Sequence, residues 1–299
     1  MEIGDSTMNP PLTHTRHPIP TIQACLQRAR HRLAPHTETP ALDAQVLLAH
    51  LLRKPRAWLL AHPEAPLPSG QLRRLENALT RLESGLPLPY LLGEWEFYGL
   101  TFTLTPAVLI PRPETELLVE TALNWLRQHP DRRRAADVGT GCGCIAVTLA
   151  AHCPDLRLTA TDISRPALAV ARQNARRHRL ASHIHFLHAD LLSLNRQPAT
   201  FDLICANLPY IPTPTLRTLD VYGREPTLAL DGGPDGLALF RRFLPQAAAA
   251  LTPGGLLLLE IEATLPDQTR ALARQHFPAA SIEIRPDLAG RDRLLLIQT

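Results

Sequence analysis

The chain has 299 residues and a formal net charge of +3. That is long enough for two domains, and too nearly neutral for a large nonspecific nucleic-acid surface. Five cysteines, at positions 25, 142, 144, 153 and 205, show no spacing for a zinc site or a disulfide framework, so buried reduced thiols are expected. No apolar run approaches the length of a membrane span, and the first residues hold no signal-peptide core, which points to the cytoplasm.

Residues 1–20 are polar and rich in Pro, Thr and His, the composition of a disordered extension. Thr21 to Leu33 carries Ile22, Cys25, Leu26, Ala29 and Leu33 on one helical face. Ala41 to Leu52 repeats the pattern with Leu42, Val46, Leu47 and Leu51, and Arg56 to Ala61 adds a short turn. Leu67 to Leu82 is a further amphipathic helix with Ser69 as its expected N-cap. Residues 21–85 therefore read as a small helical bundle. Tyr90 to Leu104, with Trp95, Phe97, Tyr98, Phe102 and alternating threonines, reads as strands turning at Gly99. A β-hairpin linker is expected over 86–105.

The remainder, 106–299, reads as one α/β domain. Thr115 to Arg127 is a predicted helix. Strands are predicted over Arg134–Val138, Leu156–Thr161, His183–His188, Phe201–Ala206 and Gly255–Ile261. Helices fall between them over Cys144–Ala151, Ser164–Asn174 and Phe240–Leu251, with another at Leu265–Phe277. Such alternation implies a doubly wound parallel sheet. Ser281–Arg285 and Arg293–Gln298 have no helix between them. They predict a terminal hairpin with one strand antiparallel to the rest.

Asn207-Leu208-Pro209-Tyr210 follows the apolar strand that ends at Ala206, at the sheet edge where open α/β folds bind ligands. A planar NH2 group suits such a site. The Asn207 oxygen can accept one N–H, and the Leu208 carbonyl can accept the other, since Pro209 brings no competing N–H. Tyr210 can stack on the flat group. A second motif, Gly139-Thr140-Gly141-Cys142-Gly143, follows Asp137 at the end of its strand. The spacing is Gly-x-Gly-x-Gly, and the glycines let backbone approach a ligand closely. An acid beside the turn would repel a pyrophosphate and favour a positively charged sulfonium cofactor. Asp162 and Asp190 end the next two predicted strands, placed to take ribose hydroxyls and an adenine amino group. Each could instead be a helix cap.

These segments resemble the class I S-adenosylmethionine-dependent methyltransferases. Four more segments are similar to the HemK/PrmC family: Gly93 to Gly99, Ile110 to Glu116, Glu225-Pro226 with Ala229 to Gly233, and Asp287 to Arg293. The resemblance runs from about Ala41 to the C-terminus. It implies a class I methyltransferase fold that uses S-adenosyl-L-methionine to methylate the glutamine amide of the Gly-Gly-Gln motif in peptide chain release factors. By the same resemblance Asp137, Gly139, Thr140, Gly141, Cys142, Gly143, Asp162, Asp190 and Leu191 hold the cofactor, with Asn207 at its edge. Asn207 to Tyr210 hold the glutamine, and the loop with Arg112 and Glu114 lines the cleft. The helical bundle would dock the release factor. Where the family usually has Asn-Pro-Pro-Tyr, this chain has Leu208. A monomer is expected, without stable nucleic-acid or membrane contact and without a metal, since His183, His185 and His188 lack a further ligand at suitable spacing. The alternatives are a ribosomal-protein glutamine methyltransferase, a nucleic-acid adenine methyltransferase and a noncatalytic cofactor-binding partner.

Overall fold

The computed structural model describes residues 19–193 and 200–299. Most of the expected extension over 1–20 lies outside them. The chain divides into two compact units, 1–88 and 89–299.

The first unit is helical: α1 (Ile22–Leu33), α2 (Pro40–Leu52), α3 (Arg56–Ala61) and α4 (Ser69–Glu83). Thr21 caps α1, its hydroxyl accepting from Ala24 N at 3.2 Å. Helical spacing brings Ile22, Cys25, Ala29 and Leu33 inward against Leu47, Leu48, Leu59, Leu75 and Leu79, all buried. Arg32 closes the outer seam between α1 and α4 through Glu76 at 2.8 Å and Glu83 at 2.5 Å. Ser69 is not the cap of α4. Pro68 holds that position without a side-chain bond, as its fixed φ suits the extended cap conformation.

A short helix, α5 (Leu88–Leu92), takes in Tyr90, which was expected in a strand. The ring buries and its hydroxyl donates to the Val108 carbonyl at 2.5 Å. The hairpin follows as β1 (Glu94–Phe97) and β2 (Leu100–Thr103). Its two turn residues, Tyr98 and Gly99, both have positive φ, 51° and 73°, as tight hairpins require. The Glu116 carboxylate accepts from Tyr98 N at 2.8 Å and steadies the unfavourable tyrosine.

The large sheet contains β3 (Arg134–Val138), β4 (Arg157–Asp162), β5 (Ile184–His188), β6 (Phe201–Ala206), β7 (Leu251–Glu260), β8 (Ser281–Pro286) and β9 (Asp292–Gln298). Their order is β5-β4-β3-β6-β7-β9-β8. The first five are parallel, and β9 runs antiparallel to both neighbours. The helices are α6 (Thr115–Gln128), α7 (Cys144–His152), α8 (Arg165–Arg177), α9 (Thr213–Leu216), α10 (Ala238–Ala250) and α11 (Pro266–His276). Alternate residues Ile204, Ala206, Leu257, Leu259, Leu295 and Ile297 bury against Phe240, Phe243, Leu244 and Ala247 of α10 and Ala273 of α11. Between β6 and α10 the sequence pattern foresaw no element. That stretch holds α9 and a 3₁₀ turn, Thr227–Ala229, kept short by prolines at 209, 212, 214, 226 and 234. Strand order reverses beside β3, so the carboxyl ends of β3, β4 and β6 frame a crevice.

Candidate active site

A cavity of about 220 Å³ occupies that crevice. Its walls include Gly139 and Gly141 after β3, Asp162 at the end of β4, Asp190 and Leu191 after β5, and Asn207 to Pro209 after β6. Pro226, Leu228 and Arg242 close the side facing α10.

The Gly-rich turn is built for close approach. Gly139 sits at φ 73°, and a Cβ there would lie 3.1 Å from Leu208 Cδ2. A Cβ on Gly143, at φ 85°, would meet Ala171 of α8 at 3.2 Å, so this glycine serves helix packing and does not line the cavity. The fully buried Asn174 locks the turn from behind. It donates to the carbonyls of Cys142 and Thr103 at 2.9 and 3.0 Å, and accepts from Thr103 N at 2.7 Å.

Asp137, expected beside the cofactor, is completely buried and does not line the cavity. One carboxyl oxygen accepts from the Thr140 hydroxyl at 2.6 Å and Ala146 N at 3.2 Å, which fastens the turn to the start of α7. The other has no partner among the described residues. Burial pushes this carboxyl up to about 7. Thr140 and Cys142 likewise lie behind the turn, buried. Asp162 does reach the cavity, where its oxygens accept from Gly141 N at 2.9 Å and Ser164 N at 2.8 Å. Ser164 itself caps α8. Burial also raises the Asp162 carboxyl above its ordinary range. Asp190 stands at the rim, paired with Arg242.

Arg112 and Glu114 do not line the cavity. Arg112 is clamped to Glu225 at 2.5 Å, and Glu225 accepts from Ile110 N at 3.0 Å. Glu225 is 5% exposed at its side chain, and a carboxylate so buried needs a cation, so the arginine is drawn from the cleft. Glu114 is the N-cap residue of α6 without a side-chain bond.

Around Asn207 the structure adds residues that sequence reasoning missed. Asn207 Nδ2 donates to the Thr115 hydroxyl at 3.0 Å. Thr115 donates to Glu260 Oε2 at 2.7 Å, and the Tyr210 hydroxyl donates to Glu260 Oε1 at 2.9 Å. Thr115 opens α6 and Glu260 ends β7, so three elements meet at one carboxylate. Glu260 is 1% exposed, and burial raises its carboxyl, opposed by these two hydrogen bonds and the positive charge of Arg293. The only sequence signal was an acid closing the apolar run Leu256–Leu259. Leu208 is 2% exposed and belongs to the main core. Tyr210 does not line the cavity, and Gly232 packs on its backbone, where a Cβ would come within 2.7 Å. Asp231 holds that loop by accepting from Thr213 and from Gly233 N at 2.6 and 2.9 Å.

His188 bonds the Ile163 carbonyl at 2.9 Å, and among the described residues no cluster of potential metal ligands forms. No helix among them is long and apolar enough to cross a membrane.

Comparison with known proteins agrees with this geometry. Residues 24–93 match the PrmC N-terminal domain and residues 113–217 the methyltransferase small domain. The chain is 45% identical over 278 residues to the release factor glutamine methyltransferase of Moorella thermoacetica, covering 92% of this chain and 98% of that one. It is 38% identical to the protein of that name from Nitratidesulfovibrio vulgaris, over 92% of this chain and 94% of that one. Among solved structures, the hMettl16 catalytic domain in complex with the MAT2A 3'UTR hairpin 6 superposes with a TM-score of 0.52 at 16% identity. That match covers 77% of this chain and 81% of that one, and it shows a shared fold. The chain is a methyltransferase with the class I fold, and it belongs to the release factor glutamine methyltransferase family.

Proposed function

We propose that this protein methylates the side-chain amide nitrogen of the glutamine in the Gly-Gly-Gln motif of peptide chain release factors, with S-adenosyl-L-methionine as donor. The observation that carries the reading is the Asn207 amide. Its NH2 end donates to Thr115, which leaves its oxygen as an acceptor, and Asn207 and Leu208 both line the cavity. The Asn207 oxygen and the Leu208 carbonyl are proposed as the two acceptors for the N–H bonds of a primary amide.

The residues present fit the cofactor. Gly139 and Gly141 allow close backbone approach, Asp162 offers carboxylate oxygens to hydroxyl groups, and Leu191, Leu208 and Leu228 supply apolar wall. The bound cofactor supplies a methyl group already activated by its sulfonium. The protein's own part is to hold the nitrogen. A carboxamide nitrogen is a poor nucleophile, because its lone pair is delocalised into the carbonyl. Accepting both N–H bonds draws density toward nitrogen and aims the lone pair. Positioning of this kind can be worth as much as roughly 7–11 kcal/mol. Tyr210 lies outside the cavity wall, packed on the core and held at its hydroxyl by Glu260, and is proposed to support the Asn207–Pro209 segment. A strong base before attack is not required, since the methylated nitrogen is acidic and releases its proton readily.

The helical unit is proposed to dock the release factor, supported by its own compactness and its match to the PrmC N-terminal domain. A cytoplasmic monomer without stable nucleic-acid contact completes the reading, supported by the near-balanced charge. The ribosomal-protein and adenine alternatives are not favoured by relatives named for release factors. Incubation with labelled cofactor and, separately, release factor, rRNA and DNA tests the reading. Label is expected on the release factor glutamine, and Asn207→Ala should lower turnover about 10²–10³-fold with cofactor affinity kept. Label on nucleic acid alone would refute it.

A further inference from the structure

We propose that Glu260, acting through the Thr115 hydroxyl, fixes which end of the Asn207 amide faces the substrate, so that Thr115 and Glu260 are positioning residues of the methyl-transfer site. The proposal rests on the reading of Asn207 as the acceptor for the substrate amide.

The argument is one of proton direction. Each Glu260 oxygen faces one hydroxyl donor, and in its ionised form the carboxylate has no proton to give. Glu260 receives Thr115 at 2.7 Å on one oxygen and Tyr210 at 2.9 Å on the other. Thr115 has a single hydroxyl proton, and it points to Glu260. Its oxygen can then only accept from Asn207, 3.0 Å away, and only Nδ2 of that amide can donate. A flipped Asn207 would set lone pair against lone pair here and turn N–H groups toward a substrate that also presents N–H groups. The chain of bonds therefore excludes the unproductive orientation. A neutral residue at 260 would not do this, since an amide or hydroxyl offers donor and acceptor alike and lets the chain run either way. This accounts for a carboxylate being kept at 1% exposure at the end of an apolar strand, where its desolvation is unfavourable. Burial raises this carboxyl and works against its ionised form, while the hydrogen bonds from Thr115 and Tyr210 and the positive charge of Arg293 oppose that rise.

The test compares Thr115→Val, Thr115→Ser, Glu260→Gln and Asn207→Ala in the full chain. Thr115→Val keeps the shape and removes the link. It should lower kcat on release factor on the order of 10–10²-fold, with cofactor affinity by calorimetry unchanged. Thr115→Ser should recover most of the loss, and Glu260→Gln should lower kcat in the same way. Added to Asn207→Ala, Thr115→Val should have no further effect, because it acts only through that amide. Parental kcat in Thr115→Val, a serine variant as impaired as the valine one, or additive losses in the double variant would each overturn the proposal. A readout without turnover separates it from the substrate reading. The Asn207 side-chain NH2 resonances, assigned by their loss in Asn207→Ala, should exchange slowly with solvent in the parent and quickly in Thr115→Val. Slow exchange in both overturns the orientation even if the parent methylates nothing. An inactive parent with the expected exchange pattern refutes only the substrate reading.

Discussion

Replacing Asp137 by Asn should change how the stability of the apoprotein depends on pH. Asp137 is fully buried at the end of β3, with one oxygen bonded to Thr140 and Ala146 and the other without a partner among the described residues. Burial raises its carboxyl from 3.8 to about 7. Below the lower value the group is protonated in both the folded and unfolded states. Between the two values the unfolded chain releases the proton while the folded protein keeps it. Stability from this group is therefore fully present at low pH and is lost as pH rises through that window, levelling above 7. Each unit corresponds to 1.36 kcal/mol, so the two units between pH 5 and 7 amount to about 3 kcal/mol. Asp137→Asn keeps an oxygen for Thr140 and Ala146 and has no proton to lose. Its unpaired NH2 adds a constant cost, which makes the change with pH, and not the absolute value, diagnostic. Urea unfolding of parent and variant at pH 5 and pH 8 should show the variant gaining about 3 kcal/mol relative to the parent. Parallel behaviour of the two proteins would refute the argument and mean that Asp137 stays ionised through a contact not seen here.

Two further outcomes follow from the same geometry. Asp162→Ala removes a cavity carboxylate and should weaken cofactor binding by about 1.5–3 kcal/mol, and calorimetry showing unchanged affinity in a folded variant would remove that assignment. Arg112→Ala strands the Glu225 carboxylate and should cost about 2–3 kcal/mol of stability, below the cost for a fully buried pair because Arg112 is partly exposed. Unchanged stability in urea, with a raised KM for release factor, would return Arg112 to a substrate role.

The architecture was legible because its signals are local. Leu203–Ala206 is a continuous apolar run, as a strand covered on both faces requires, and β6 has the expected bounds, with Asp202 near its start bonded to Arg134 and Thr252. The missing helix between the last two strands announced the antiparallel β9. Tyr90 misled because an aromatic residue favours strands in general, and its burial at the Val108 carbonyl overrode that preference.

The site was legible in outline. Chain order and motif spacing placed Gly139, Gly141, Asp162, Asp190, Leu191 and Asn207 to Pro209 at strand ends, and all of them line one cavity. What a strand end does not state is how far along it a side chain meets the cavity. Asp137 pairs with Ala160, two residues short of Asp162 in the sheet register, so Asp137 is sealed behind the turn while Asp162 faces the cavity. Arg112 lies in a motif with the look of a cleft residue, but Glu225, 113 positions away, takes its charge. Thr115 and Glu260 are 145 positions apart, and neither is unusual in its own segment. By itself the sequence determined the fold and the strand ends that carry the chemistry, because hydrophobic period and turn residues act over a few positions, and its motifs carried the family resemblance. Only the tertiary structure decided which polar groups face the cavity and which way their hydrogen bonds run, because a buried charge takes its partner from whatever element the fold brings within about 3 Å.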